Sequence, residues 1–114
     1  MPTGPSFGNT PIFSSGELTV NLARRVVTVD NHEVQLTPTE YDLLKLLVTH
    51  AGKVVTQPQI LRQLWGPGHE DNAHLLRVNM SNLRRKLEAD ENAPTLIKTI
   101  RGAGYMFLPT VQRR

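Results

Sequence analysis

The chain has 114 residues, a formal charge of +3 and no cysteine. This length allows one hydrophobic core rather than two, and the lack of cysteine excludes disulfides and thiolate metal sites. We expect a cytoplasmic protein without a membrane anchor, because no signal-like leader opens the chain and no apolar run approaches the roughly 20 residues of a membrane helix.

Charge is divided unevenly between the two halves of the chain. Residues 1–52 carry three basic and five acidic residues, whereas residues 53–114 carry ten basic and five acidic ones. A basic C-terminal half suggests a polyanionic partner on that side. The four histidines include no pair four residues apart, the spacing with which two of them share a metal on a helix, so we expect neither a metal nor a cofactor.

The N-terminal part of the chain predicts a lead-in followed by a sheet. Residues 1–16 are rich in Pro, Gly and Ser and contain no charge, so we interpret them as a linker or lead-in, with room for a short strand around Ile12 and Phe13. From Leu18 onward, the segments "LTVNL", "RVVTVD" and "HEVQL" alternate apolar and polar residues between turn formers. This pattern predicts a small antiparallel sheet.

Two capped helices are predicted next. Thr37, Pro38 and Glu40 form a capping box, and the helix that follows has an apolar side made of Tyr41, Leu43, Leu44, Leu47 and Val48. Thr56 caps a second, shorter helix, with Pro58 in its tolerant first turn. That helix ends at Trp65, before the glycine-rich loop "GPGHED".

A third helix, from residue 71 or 72 to about residue 89, has an apolar side and a basic outer side. The helical period places its apolar residues together: Leu76, Met80, Leu83 and Leu87. The other face and its flanks carry His74, Leu75, Arg77, Val78, Ser81, Asn82, Arg84 and Arg85. Residues 72–87 contain four basic residues and no acidic one, whereas exposed helices usually mix both signs.

This outer face suits a DNA major groove. Arg can bind guanine or phosphate, Asn can pair with adenine, Ser and His can donate to phosphate, and Val78 can contact a thymine methyl. The helix by itself leaves open a second interpretation, in which the face is merely solvated and has no partner. The order of the elements around the third helix decides between DNA binding and a solvated face.

A β-hairpin is predicted after the third helix, with Arg101 at its tip. Residues 95–100 and 105–108 are β-prone, and Gly102 and Gly104 are assigned to the bend between them. A Gly-x-Gly can also cradle a phosphate, but here a strand follows it where a nucleotide site needs a helix. With no other catalytic motif present, we predict a protein that is not an enzyme.

The order of elements predicts an α+β winged helix-turn-helix. The residues themselves resemble, in order and spacing, the effector domain of the OmpR/PhoB family of bacterial two-component response regulators. The resemblance covers residues 17–108 and rests on "LTPTEYDLL", "GKVVTQPQIL", "LWG", "VNMSNLRRKLE" and "TIRGAGYMF". The pieces "WGPG", "HLLRVNM" and "LRRKLEAD" look closest to the KdpE branch of potassium-uptake regulators.

The resemblance implies a domain over residues 17–109 with an N-terminal four-stranded antiparallel sheet, three helices and a C-terminal hairpin wing, followed by a tail over residues 110–114. It further implies sequence-specific double-stranded DNA binding, with the third helix in the major groove and Arg101 in the neighbouring minor groove. Trp65, Thr99 and Tyr105 match backbone-contacting positions of the family. Its contact positions on the third helix are occupied here by His74, Leu75, Val78, Asn79, Ser81, Asn82 and Arg84.

The sequence departs from some family members at two positions of the third helix, and the resemblance implies several partners. Ser81 and Asn82 stand where some family members carry two arginines, which changes the expected base sequence and lowers the number of neutralised phosphates. The loop from Gly66 to Asp71 lies where the family often contacts RNA polymerase. In a full-length protein a receiver domain and a sensor kinase are expected, and the isolated domain should be monomeric and bind direct-repeat promoter sites in tandem. The alternative is a winged helix that binds proteins and not DNA.

Overall fold

The computed structural model describes residues 12–88 and 95–109 of the chain. The elements there are β1 Ile12–Ser15, β2 Leu18–Asn21, β3 Val26–Val29, β4 His32–Val34, α1 Pro38–Thr49, β5 Val54–Thr56, α2 Gln57–Trp65, α3 Ala73–Leu87, β6 Ile97–Ile100 and β7 Gly104–Phe107. The predicted α+β winged helix, with a four-stranded N-terminal sheet, three helices and a C-terminal hairpin, is confirmed. No helix in these ranges has the length and apolar character that a membrane crossing requires.

The N-terminal sheet is an antiparallel meander in the order β1-β2-β3-β4. Asp30 and Asn31 connect β3 to β4 with φ values of 53° and 66°, as a tight two-residue hairpin requires. β1 pairs with β2 from Ile12 opposite Asn21 to Ser15 opposite Leu18. Residues 12–15 are therefore part of the domain, and the predicted boundary at residue 17 is wrong over this stretch. Residues 1–11 of the predicted lead-in and the tail at 110–114 lie outside the described residues.

β1 is part of the folded domain because its inward side chains contact the core. The Phe13 ring packs edge-on against Phe107, with 5.4 Å between ring centres, and Ser15 is buried. Burying aromatic surface in this way stabilises a strand whose composition by itself resembles a linker. The short strand that the sequence allowed around Ile12 and Phe13 therefore forms, as β1.

The two helix starts form as predicted. Thr37 Oγ1 accepts a hydrogen bond from the Glu40 N–H at 3.1 Å, and Glu40 Oε1 accepts one from the Thr37 N–H at 2.9 Å, which completes the capping box. Thr56 Oγ1 accepts from the Gln59 N–H at 3.3 Å and caps α2. The predicted apolar side of α1 is fully buried, so α1 lies at the centre of the core.

The C-terminal sheet contains a strand that the sequence did not predict. β5 pairs with β7, which places β7 between β5 and β6. Gly102 turns the hairpin with a φ of 77°. Gly104 does not belong to the bend, because it lies in β7 opposite Thr56, and a Cβ on it would come 2.1 Å from the Val55 carbonyl oxygen. The prediction that both glycines serve the bend is wrong for Gly104.

Candidate nucleic-acid interface

α3 buries the predicted side and exposes the predicted outer face. Its buried side chains are Leu76, Met80, Leu83 and Leu87. Its exposed positions are His74, Arg77, Val78, Ser81 and Arg85. Val78 is 44 % exposed, so its methyl groups can contact a partner. The surface of α3 thus combines arginines, small polar groups and one apolar contact point.

The residues on one flank of this face are partly committed to the helix itself. Asn79 is half-buried, and its Nδ2 donates to the Leu75 carbonyl at 2.9 Å. Asn82 is also half-buried, and its Oδ1 accepts a hydrogen bond from Arg85 Nη2 at 2.8 Å. The Asn82 amide therefore keeps its two N–H donors for an outside acceptor, while one of its acceptor sites is occupied.

Arg84 points to the hairpin instead of along the outer face. Its Nη2 donates to the Ile97 carbonyl at 3.0 Å and to Thr99 Oγ1 at 2.7 Å. Its guanidinium carbon lies 5.5 Å from the centre of the Tyr105 ring. Tyr105 is only 5 % exposed, so its ring belongs to the core and little of it remains for a DNA backbone.

Arg101 is exposed at the turn of the hairpin, as predicted. The turn comprises residues 101–103, and the Ala103 N–H donates to the Ile100 carbonyl at 2.9 Å. Since Arg84 binds β6 from α3, the strand that ends at this turn runs beside α3. The hairpin therefore carries Arg101 at the end of a strand that is bound to α3.

Trp65 and the loop after it form the connection between α2 and α3. Trp65 ends α2 and is half-buried against the core, so only part of its indole can face a partner. In the loop, Glu70 accepts a hydrogen bond from the Gly68 N–H at 3.0 Å and pairs with Arg62 at 3.8 Å. Pro67, Gly68, His69 and Asp71 are exposed.

Sequence reasoning missed two charged residues that hold α3 in place. Lys86 Nζ donates to Glu40 Oε1 at 2.6 Å, and the Glu40 side chain is 3 % exposed. Glu88 Oε2 accepts from the Leu96 and Ile97 N–H groups at 2.7 and 3.4 Å. Of the four basic residues on α3, Arg84 and Lys86 are thus engaged inside the fold, and Arg77 and Arg85 face outward. No hydrogen bond or ion pair involves Arg77 in the part of the chain that the structure describes.

These parts define the class of protein. A helix pair joined by a turn, a second helix with an exposed basic face, and a hairpin with an arginine at its tip make up a winged helix-turn-helix domain of the kind that reads nucleic acid. The chain belongs to the family described as "Transcriptional regulatory protein, C terminal", which matches residues 31–107. Membership in a family of transcriptional regulators also confirms the prediction that the chain is not an enzyme.

Individual relatives agree with this assignment. The chain is 45 % identical over 98 residues to the KDP operon transcriptional regulatory protein KdpE of Escherichia coli K12, covering 86 % of this chain and 44 % of that protein. It therefore spans less than half of that relative. The DNA-binding domain of Klebsiella pneumoniae RstA, solved in complex with the RstA box, has a TM-score of 0.78 at 33 % identity, covering 87 % of this chain and 98 % of that one.

A third similar structure includes more than this domain. The response regulator DrrB of Thermotoga maritima, described as an OmpR/PhoB homolog, has a TM-score of 0.75 at 31 % identity, covering 85 % of this chain and 44 % of that one. The predicted resemblance to OmpR/PhoB effector domains and to their KdpE branch is confirmed by these similarities.

Proposed function

We propose that this domain binds double-stranded DNA in a sequence-specific manner, as the effector domain of a two-component response regulator. α3 enters the major groove, and Arg101 of the wing enters the neighbouring minor groove. The observation that carries the proposal is that the exposed face of α3 and the arginine of the wing lie on adjacent elements, joined by Arg84. The same proposal includes a cytoplasmic location.

The exposed side chains suit this role. Arg77 and Arg85 face out from α3 and Arg101 from the wing, so three exposed guanidinium groups are available to bind phosphates or base edges. Val78 and Asn82 lie between them on α3 and supply a methyl contact and amide donors. The solved complex of the RstA domain with its box supports DNA as the ligand.

Salt dependence tests the proposal. If Arg77, Arg85 and Arg101 neutralise three phosphates, log affinity for a selected duplex should fall linearly with log salt, with a slope of about −3. The duplex is obtained by selection from a random pool, and affinities are measured by fluorescence anisotropy across a salt series. Undetectable binding to every duplex, or an affinity that does not change with salt concentration, would contradict DNA binding. Either result would favour a winged helix that binds proteins.

Arg101→Ala tests the wing. The variant should weaken binding by about 1 to 2 kcal/mol and lose any preference for a narrow, A·T-rich minor groove beside the major-groove site. Arg24→Ala is the matched control, because Arg24 is an exposed arginine in the turn between β2 and β3 and its removal changes the net charge equally. If both variants keep the flank preference of the unmodified chain, Arg101 does not read the groove.

Further partners belong to the same proposal. We propose that the loop of residues 66–71 contacts RNA polymerase, since its exposed tip is held by the Glu70 bonds to Gly68 and Arg62. In a full-length protein a receiver domain and a sensor kinase would control DNA occupancy, which is supported by the greater length of KdpE. The isolated domain is expected to be monomeric and to occupy direct repeats in tandem.

A further inference from the structure

We propose that Arg84 is a positioning residue, which fixes the wing against α3 and so sets the spacing at which the two elements read DNA. This inference rests on the proposed function. It differs from the role implied by the sequence resemblance, in which Arg84 contacts DNA itself.

The first observation is the geometry of Arg84. A single nitrogen, Nη2, donates both to the Ile97 carbonyl and to Thr99 Oγ1, and the guanidinium lies over the Tyr105 ring. These three contacts reach both strands of the hairpin. A guanidinium is suited to such a task, since its donors are held in a rigid fork and its flat face packs on aromatic rings.

A second observation comes from Glu88, which directly follows the last residue of α3. Glu88 accepts the Ile97 N–H, and Arg84 donates to the Ile97 carbonyl. β6 is an edge strand of its sheet, so polar backbone groups along its outer side have no neighbouring strand to bond. Two side chains of opposite charge, Arg84 of α3 and Glu88 directly after it, take that place. They bind the N–H and the carbonyl of Ile97 and so fix the start of β6.

The other arginines of α3 provide a contrast. Arg77 faces solvent, and Arg85 bonds within its own helix to Asn82. A move of Arg84 toward a phosphate would break both of its bonds and leave the Ile97 carbonyl without its partner, which is costly for a partly buried group. Arg77 and Arg85 can move to a phosphate without disturbing the hairpin. The three arginines therefore divide into two that can contact DNA and one that holds the wing.

Fixing the wing has a consequence for the DNA site. Arg101 lies at the end of the hairpin that Arg84 holds, so the distance from the α3 face to Arg101 becomes a property of the free protein. A shift of the minor-groove flank by one base pair moves it by about 3.4 Å and rotates it by about a tenth of a turn. We expect the unmodified chain to lose about tenfold in affinity for such a shifted duplex.

The experiment uses Arg84→Lys and Arg84→Met, with Arg77→Lys and Arg77→Met as matched controls on the same helix. Hydrogen exchange of the free chain measures how firmly the hairpin is held. Protection of the β6 and β7 amides should fall about tenfold in both Arg84 variants and stay unchanged in both Arg77 variants. Unchanged protection in the Arg84 variants would overturn the inference.

DNA binding then separates positioning from contact. In Arg84→Lys, which keeps the charge, the penalty for the shifted flank should shrink from about tenfold to about twofold. In Arg84→Met the salt slope should match that of the unmodified chain, whereas Arg77→Met should reduce its magnitude by about 0.9. A reduction of the same size in Arg84→Met, with the spacing preference intact in Arg84→Lys, would make Arg84 a phosphate contact.

The two proposals fail in different ways. If the unmodified chain binds no duplex, the proposed function is contradicted. The proposed effect of Arg84 on the spacing of the DNA site is then contradicted as well, whatever the hydrogen exchange of the hairpin amides. If the unmodified chain binds duplexes with a spacing preference that both Arg84 variants retain, only the positioning role is overturned.

Discussion

Replacing Gly104 by alanine is expected to destabilise the domain by about 3 kcal/mol or more. A Cβ on Gly104 would lie 2.1 Å from the Val55 carbonyl oxygen and 2.8 Å from the Thr56 Cα. These are backbone atoms that cannot rotate away, so β5 would have to move as a unit. Because Thr56 also caps α2, the displacement would reach the helix-turn-helix. Urea denaturation followed by circular dichroism measures the loss.

Gly102→Ala is the matched control within the same hairpin. Gly102 has a φ of 77°, but no atom lies within 4 Å of an added Cβ, so only the cost of a left-handed alanine is expected, about 1 kcal/mol. Equal losses in the two variants would contradict the argument from close approach. A Gly104→Ala chain that fails to fold, beside a folded Gly102→Ala chain, would support it.

The helices could be predicted from the sequence because their signals are local. The Thr37 capping box and the buried side of α3 each lie within a short stretch of sequence. The capping pattern and the helical period can be recognised within such a stretch. β5 could not be predicted in this way. Val54 and Val55 are a run of two apolar residues before a helix cap, which is too short to show a period, and their partners in β7 lie far along the chain.

Gly104 illustrates the same limit at the level of one residue. Two glycines around Ala103 fit a bend equally well by sequence, and only the approach of β5 shows that one of them serves packing. The length of the edge strand β1 was underestimated for a related reason. Its Phe13 packs against Phe107, which lies near the other end of the sequence.

The candidate site was predicted as a set of residues but not as a set of interactions. The helical period places Arg84 and Lys86 beside the buried side of α3, yet it does not say that their partners are Thr99 and Glu40. Counting basic residues therefore overstated the charge that α3 offers to DNA. Pairing across long sequence separations depends on the folded positions of other elements, and a single sequence does not encode that in any local pattern.

Lys86→Met is expected to destabilise the domain by about 3 kcal/mol at pH 7. Burial by itself would raise the pKa of Glu40, but hydrogen bonds from Lys86 and Thr37, together with the charge of Lys86, outweigh burial and lower the pKa below its ordinary value of 4.5. Without Lys86 the buried carboxylate keeps the hydrogen bond from the Thr37 N–H but loses its counter-charge, or it takes up a proton. Proton uptake at pH 7 costs about 1.4 kcal/mol for each pH unit above the ordinary pKa, which sets the size of the effect.

The dependence on pH distinguishes loss of the ion pair from loss of packing. In the unmodified chain the folded-state pKa of Glu40 lies below its unfolded-state pKa, so Glu40 stabilises the fold above the unfolded-state value and this contribution disappears as pH falls through the folded-state value. In Lys86→Met we expect the folded-state pKa to rise, because burial remains and the ammonium is gone, while only the hydrogen bonds from Thr37 still lower the pKa. The difference between the two chains should therefore be largest near pH 7 and narrow toward about pH 4.

Urea denaturation at several pH values, with the double variant Glu40→Gln/Lys86→Met as control, checks this expectation. The glutamine oxygen can still accept the Thr37 N–H and carries no charge, so the double variant should recover most of the lost stability at pH 7 and show little dependence on pH. A loss of equal size at both ends of the range, which the second substitution does not relieve, would mean that Lys86 acts through the packing of its apolar stem. In that case the α1 cap and the last turn of α3 would be coupled by shape and not by charge.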